Sequence, residues 1–213
     1  MGLFGKKEKT PCPVCGGEVK GLFKTKIEGG QELCQECGHK ICAPKDWIKA
    51  AGVDDVKKHF AYREEQAALY ATMHPRHSFV FNGFLQVEAD EEKNLLAIGY
   101  SNMNCRDNPI VLRYGQLTGY ELFLEKKKLD DDKTAGPTNT KTFLTQAGNL
   151  LVSNGRDARF TLKLKTEDPY WLEMEIGATV PYHLNFEGYK DNMSGIGQLL
   201  KCIVRGEPFV LEK

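Results

Sequence analysis

Cys12-Pro13-Val14-Cys15 and Cys34-Gln35-Glu36-Cys37 stand 18 residues apart near the start of the chain. Two residues between cysteines let one tight turn present both sulfurs to a single ion, and 18 more suffice for a hairpin to return the second pair. Tetrahedral zinc takes four such sulfurs at about 2.3 Å each. The spacing therefore predicts one structural Zn²⁺ held by Cys12, Cys15, Cys34 and Cys37, with an iron site of the same geometry as the alternative. Gly16 and Gly38 follow the two pairs, where the turns call for positive φ. Glu18 to Ile27 alternates loosely, and Glu28-Gly29-Gly30 reads as the hairpin turn. His39 and Cys42 lie close enough to replace Cys37 in a shifted geometry. The repeated spacing accounts for the site without them, so Cys42 reads as a small apolar packer and His39 as a surface residue.

Disulfides fit poorly, since the chain has seven cysteines, an odd number, and opens with no signal peptide. A segment this short buries too little apolar surface to fold alone. Metal binding, typically about 10–16 kcal/mol, supplies the missing stability. Four thiolates leave no open position for a catalytic water, which predicts a structural role.

Moving outward, Pro44 opens a short helix over Asp46–Ala51 that Gly52 stops, and a longer one runs from about Asp54 to Met73. Its expected apolar stripe is Val56, Phe60, Ala67, Tyr70 and Ala71. His74-Pro75 ends it. From Ser78 the period becomes two. Ser78–Glu88, Asn94–Tyr100, Ile110–Arg113, Leu117–Leu124, Ala158–Thr166 and Tyr170–Ile176 read as strands, with Thr179–Phe186 a weaker seventh. Lys126 to Asn139 reads as an exposed loop, and Glu167-Asp168-Pro169 as a turn. A final helix from Lys190 to Arg205 carries an apolar face of Met193, Ile196, Leu199, Leu200 and Ile203, and Gly206 closes it. Gly195 and Gly197 read as a weak spot in that helix.

The expected fold class is α+β: a small zinc ribbon, a helical connector, then a mainly antiparallel β domain (a bent sheet or partly open barrel) with a C-terminal helix. The division is 1–9 flexible N-terminus, 10–43 ribbon, 44–75 connector and 76–213 β domain. The order of strands and closing helix suits pleckstrin-homology-like domains.

These features resemble a family. The ribbon behind Met1-Gly2-Leu3-Phe4, the helix ending at His74-Pro75 and the run Tyr114-Gly115-Gln116-Leu117-Thr118-Gly119-Tyr120-Glu121-Leu122 are similar to bacterial proteins of unknown function with an N-terminal zinc ribbon. Those proteins continue into a β-rich, possibly pleckstrin-homology-like region. The likeness covers residues 1–125 best. It implies metal ligation by Cys12, Cys15, Cys34 and Cys37 and no particular activity.

Of 213 residues, 41% are hydrophobic and 27% charged, with a formal net charge of zero. That balance suits a soluble protein without a global attraction to nucleic acid. No apolar run reaches the ~18 residues of a membrane span. Lys6 occupies the position where a myristoylation signal wants Ser or Thr. A cytoplasmic protein without membrane attachment is expected. His-Glu-x-x-His, Gly-x-Ser-x-Gly and phosphate-cradling glycine loops do not occur. His74 and His77 flank a turn, and Asp130-Asp131-Asp132 reads as solvated. The expected function is a non-enzymatic, zinc-binding interaction or adaptor protein with a protein partner. The alternative is nucleic-acid binding through the ribbon, where Lys20, Lys24 and Lys26 share one face of a hairpin strand. Lipid headgroups are not expected, because Glu88 to Glu92, read as the first strand–strand loop, would repel phosphate.

Overall fold

The computed structural model describes residues 10–21, 24–81, 85–128, 156–181 and 186–209. It has mixed helix and antiparallel sheet, with a cysteine cluster at the N-terminal end, two sheets not closed into a barrel, and a C-terminal helix. Three helices come first: α1 (Gln35–Lys40), α2 (Lys45–Ala50) and α3 (Val53–Ala71). Pro44 occupies the N-cap of α2, and Gly52 caps α3, where its backbone N–H donates to Asp55 at 3.1 Å.

Strands β1 (His77–Phe81), β2 (Leu85–Asp90), β3 (Leu95–Tyr100) and β4 (Ile110–Arg113) form one antiparallel sheet in that order. Strands β5 (Leu117–Lys128), β6 (Arg156–Thr166) and β7 (Glu173–Pro181) form the second. Helix α4 (Phe186–Arg205) follows, ending at Gly206, whose φ is +67°. Phe160, Leu162 and Leu164 of β6 and Met174 and Ile176 of β7 turn inward. They meet Phe79, Phe81, Leu85, Val87, Leu96 and Ile98 from the first sheet, and Met193, Ile196, Leu199, Leu200 and Ile203 of α4 join the same core. The expected inward alternation of β6 and the apolar face of the last helix are both present.

Strand β3 is buried on both faces along its whole length. Leu96 and Ile98 enter the main core, while Leu95 and Ala97 pack with Met73 and Val111 in a smaller cluster that Leu69 and Tyr70 of α3 cover. A strand enclosed on two sides explains why Leu95-Leu96-Ala97-Ile98 is a continuous apolar run. The glycines within α4 have a packing role. A Cβ on Gly195 would stand 2.3 Å from the Phe79 ring, and one on Gly197 would stand 3.0 Å from Leu122. The helix lies this close to β1 because position 195 has no side chain.

Four expectations need correction. Ser78–Glu88 is two strands: Phe81 pairs with Leu85 across a hairpin. The acidic turn after Asp90 thus joins β2 to β3, and Glu88 to Glu92 do not form the first strand–strand loop on which the expectation about lipid headgroups rested. Strand β5 continues through Lys128, beyond the expected start of the loop at Lys126, and the rest of that loop lies outside the described residues. The weaker strand proposed at 179–186 is the end of β7 and the start of α4. Finally, the buried face of α3 is Val56, His59, Arg63 and Gln66, whereas Ala67 and Ala71 are exposed. That face is polar because it covers backbone groups rather than apolar side chains, as the hydrogen bonds below show.

Candidate metal centre

Leu33, Ile27 and Ile41 are the largest side chains of a compact apolar cluster to which Cys12, Cys34 and Cys37 belong. Few regular backbone pairings surround it. Two isolated antiparallel bridges, Pro11 with Glu18 and Lys26 with Glu32, replace the expected ribbon strands. The turn between the latter pair is a single 3-10 turn over Glu28–Gly30, with Gly29 and Gly30 at φ +67° and +75°.

The first pair sits on a tight turn closed by hydrogen bonds from Cys12 N to Gly17 O (2.6 Å) and Gly16 N to Cys12 O (2.8 Å). Gly16 has φ +74°, as its position requires. The second pair is built differently: Cys34 is the N-cap of α1 and Cys37 lies in its first turn. This places both sulfurs at the partially positive end of a helix. Gly38 is accordingly helical rather than left-handed. Its lack of a side chain serves contact instead, since a Cβ there would meet Thr25 Oγ1 at 2.5 Å.

The four sulfurs lie within 4.8 Å of one another, with Cys15 and Cys34 Sγ 3.5 Å apart. Four sulfurs tetrahedrally placed at ~2.3 Å from one ion stand roughly 3.8 Å apart, so the arrangement fits the ion without rearrangement of the chain. Backbone N–H groups already face the sulfurs: Gly17 N to Cys15 (3.4 Å) and Cys37 N to Cys34 (3.5 Å). Burial opposes ionisation of Cys12, but the N–H groups of Cys34, Cys15 and Val14 outweigh it and lower its pKa to about 6. Cys37 moves the other way, pushed up by burial and by the crowd of neighbouring sulfurs. Four sulfurs this close would repel one another as thiolates, so a cation is the natural partner of the full set.

His39 and Cys42 are not in this group. His39 is exposed, whereas Cys42 is buried against Cys105, which together with burial pushes its thiol up. Cys202 is half-buried on α4 beside the main core.

Cys42 marks the junction between the cluster and the sheets. Its N–H donates to His59 Nε2 at 3.1 Å, and its carbonyl accepts from Trp171 Nε1 at 3.0 Å. Asn104 Nδ2 donates to Ile41 O at 3.3 Å. Tyr170 packs against both His59 (ring centroids 4.4 Å apart) and Trp47 (5.1 Å). The turn carrying Tyr170 is held by fully buried Asp168, whose Oδ1 accepts from Tyr170 N (2.8 Å) and Trp171 N (2.9 Å) while Oδ2 accepts from Tyr62. The reading of Glu167-Asp168-Pro169 as a turn holds. His59 and Arg63 were missed as buried residues, although their spacing from Val56 and Gln66 follows one helical face.

The lysines of the ribbon are engaged. Lys20 pairs with Glu18 (2.7 Å), Lys24 with Glu32 (2.6 Å), and Lys26 with the same Glu32 (3.9 Å). They do not share a regular strand.

A family model described as a domain of unknown function, DUF4428, matches residues 10–59. The match takes in all four cysteines, α1, α2 and the first two turns of α3, ending at His59. No curated protein and no solved structure matches the chain. Among the described residues, no helix is long and apolar enough to cross a membrane.

Proposed function

We propose that the chain is a zinc-dependent, non-enzymatic interaction protein. One structural Zn²⁺ on Cys12, Cys15, Cys34 and Cys37 organises the N-terminal ribbon, and the β domain behind it serves a protein partner. The convergence of four sulfurs within 4.8 Å carries the reading. A complete set of four thiolates closes the coordination shell, which favours a structural ion over a catalytic one. Free thiols in this number belong to a reducing compartment, in keeping with the cytoplasm. A four-stranded and a three-stranded sheet followed by a helix support the pleckstrin-homology-like reading of the region from residue 76 onward. The nucleic-acid alternative receives less support, because Glu18 and Glu32 offset the ribbon lysines on which it depends.

The test is metal analysis of protein purified under reducing conditions. One zinc per chain is expected, with loss of that zinc in Cys34→Ser; metal-free native protein refutes the reading. Titration of a labelled oligonucleotide across a salt series decides the alternative, since phosphate contacts weaken steeply with salt.

A further inference from the structure

The four sulfurs of the metal centre are not equally sheltered. Cys12, Cys34 and Cys37 are buried, at 2%, 7% and 3% exposure, whereas Cys15 is exposed. Two glycines follow Cys15. A Cβ on Gly17 would stand 3.2 Å from Cys15 Sγ, so the missing side chain leaves that flank of the sulfur open. The backbone of Gly17 donates one hydrogen bond to it, at 3.4 Å.

Cys15 also has a reaction partner at hand. Its Sγ lies 3.5 Å from that of Cys34, and closing by about 1.5 Å would make a covalent bond. Metal ligation keeps the sulfurs as thiolates, the form that attacks peroxides. An accessible sulfur beside a sheltered one is the arrangement of redox-sensing cysteines, in which the first meets the oxidant and the second resolves the product. The other three cysteines are placed differently. Cys42 and Cys105 are buried, Cys202 is half-buried on α4, and none belongs to the sulfur group.

We propose that Cys15 is a site of reversible oxidation by hydroperoxides, and that its disulfide with Cys34 releases the metal. This regulation rests on the zinc reading above. The Cys15 thiolate attacks one peroxide oxygen, the O–O bond breaks, hydroxide leaves, and Cys15 becomes a sulfenic acid. The Cys34 thiolate then attacks the Cys15 sulfur, the S–S bond forms, and a second hydroxide leaves. Two electrons pass from the two sulfurs to the peroxide. Cys12 and Cys37 remain, half of the tetrahedral set and too few to retain the ion. A thiol reductant reverses the step by exchange, two of its thiols becoming a disulfide as Cys15 and Cys34 are regained.

The experiment uses the full chain with its metal, freed of reductant and treated with hydrogen peroxide. Zinc is counted first. Its release is then followed with a chromogenic zinc indicator, and peptide mass spectrometry after alkylation maps the sulfurs. One zinc released per chain is expected, with a Cys15–Cys34 disulfide and the other five of the seven cysteines alkylated. Dithiothreitol with added zinc should restore the loaded protein. Cys15→His keeps a fourth ligand of a kind common in structural zinc sites but removes the exposed sulfur, and should slow release about tenfold. If Cys15→His holds no zinc, Gly17→Ala decides instead: its methyl covers the open flank of the sulfur, and release about threefold slower is expected. Protein that carries no zinc before treatment overturns the zinc reading and the switch together. Zinc-loaded protein overturns the switch alone if peroxide releases no metal, if the first disulfide joins another pair, or if the deciding variant releases zinc at the wild-type rate.

Discussion

Chelation of the zinc-loaded chain is expected to unfold the ribbon and leave the two sheets standing. Among the described residues from 10 to 42, regular pairing amounts to two isolated bridges, a 3-10 turn and the six residues of α1. The ion pairs there are surface contacts worth about 0–1 kcal/mol each. A structural zinc contributes on the order of 10–16 kcal/mol, as much as the entire net stability of a typical domain, about 5–15 kcal/mol. No ion pair or hydrogen bond described within the ribbon approaches that magnitude. The sheets, by contrast, share a core that reaches from β1 to α4 and, among the described residues, draws only Cys42 from the N-terminal segment. The chain carries its own reporters, because both of its tryptophans sit at the boundary. Trp47 packs on the ribbon cluster and Tyr170, and Trp171 donates to the carbonyl of Cys42. A strong chelator should therefore shift tryptophan emission to the red. Amide exchange should lose protection at Leu33 and Cys42, whose N–H groups bond Thr25 O and His59. Protection should persist in β3 and β6. Retained protection at Leu33 in metal-free protein would refute the argument for metal-held folding, and simultaneous collapse of β3 and β6 would refute the independence of the sheets.

Two further outcomes follow from single residues. His59 is fully buried, and burial reinforced by the charge of Arg63 lowers its pKa from 6.5 to about 4. The folded state thus binds fewer protons than the unfolded one between these values. Stability is fully present above pH 6.5 and falls as pH drops toward 4, by roughly 3 kcal/mol at ~1.4 kcal/mol per pH unit. Denaturant titration at constant metal content should show this slope, and His59→Gln should flatten it; an unchanged slope would clear His59 of the role. In the last helix, Gly195→Ala should destabilise by about 1–3 kcal/mol, because the new methyl meets the Phe79 ring at 2.3 Å and outweighs the ~1 kcal/mol propensity gain. Gly197→Ala meets only the flexible end of Leu122 at 3.0 Å and should be near neutral; equal effects in thermal melts would contradict the packing described.

The sequence displays what depends on spacing and hides what depends on contact across the fold. Cys12, Cys15, Cys34 and Cys37 are legible because a group able to hold one ion must keep fixed separations. The faces of β6 and α4 are legible because each has one wet side. The first hairpin was hidden for a specific reason: Phe79, Phe81, Leu85 and Val87 are all odd-numbered, so the alternation stays in phase across the turn and mimics one long strand. Asn82-Gly83 was the signal to weigh against it. Helix α3 was misread for the opposite reason. Its buried positions recur at helical spacing, but three of the four are His59, Arg63 and Gln66, which an apolar template rejects.

Those three residues have one property in common: each bonds backbone from another part of the fold. His59 accepts the N–H of Cys42, Arg63 donates to the carbonyls of Asn108 and Pro109, and Gln66 Oε1 accepts the N–H of Val111. A helix laid across a loop and the outer edge of β4 meets unpaired main-chain groups, and only polar side chains can satisfy them there. The same arrangement joins the metal site to the sheets. Cys42 lies five residues beyond Cys37, and its N–H and carbonyl are held by His59 and Trp171, one from α3 and one from the turn before β7. If the ribbon loses its ion, His59 loses its donor and Trp171 its acceptor, leaving buried polar groups unmatched at about 1–3 kcal/mol each. The β domain then need not unfold to register the loss. It has only to shift the segments that Cys42 holds, and the loop from 104 to 108 is bound to the same ribbon through Asn104 and to the same helix through Arg63.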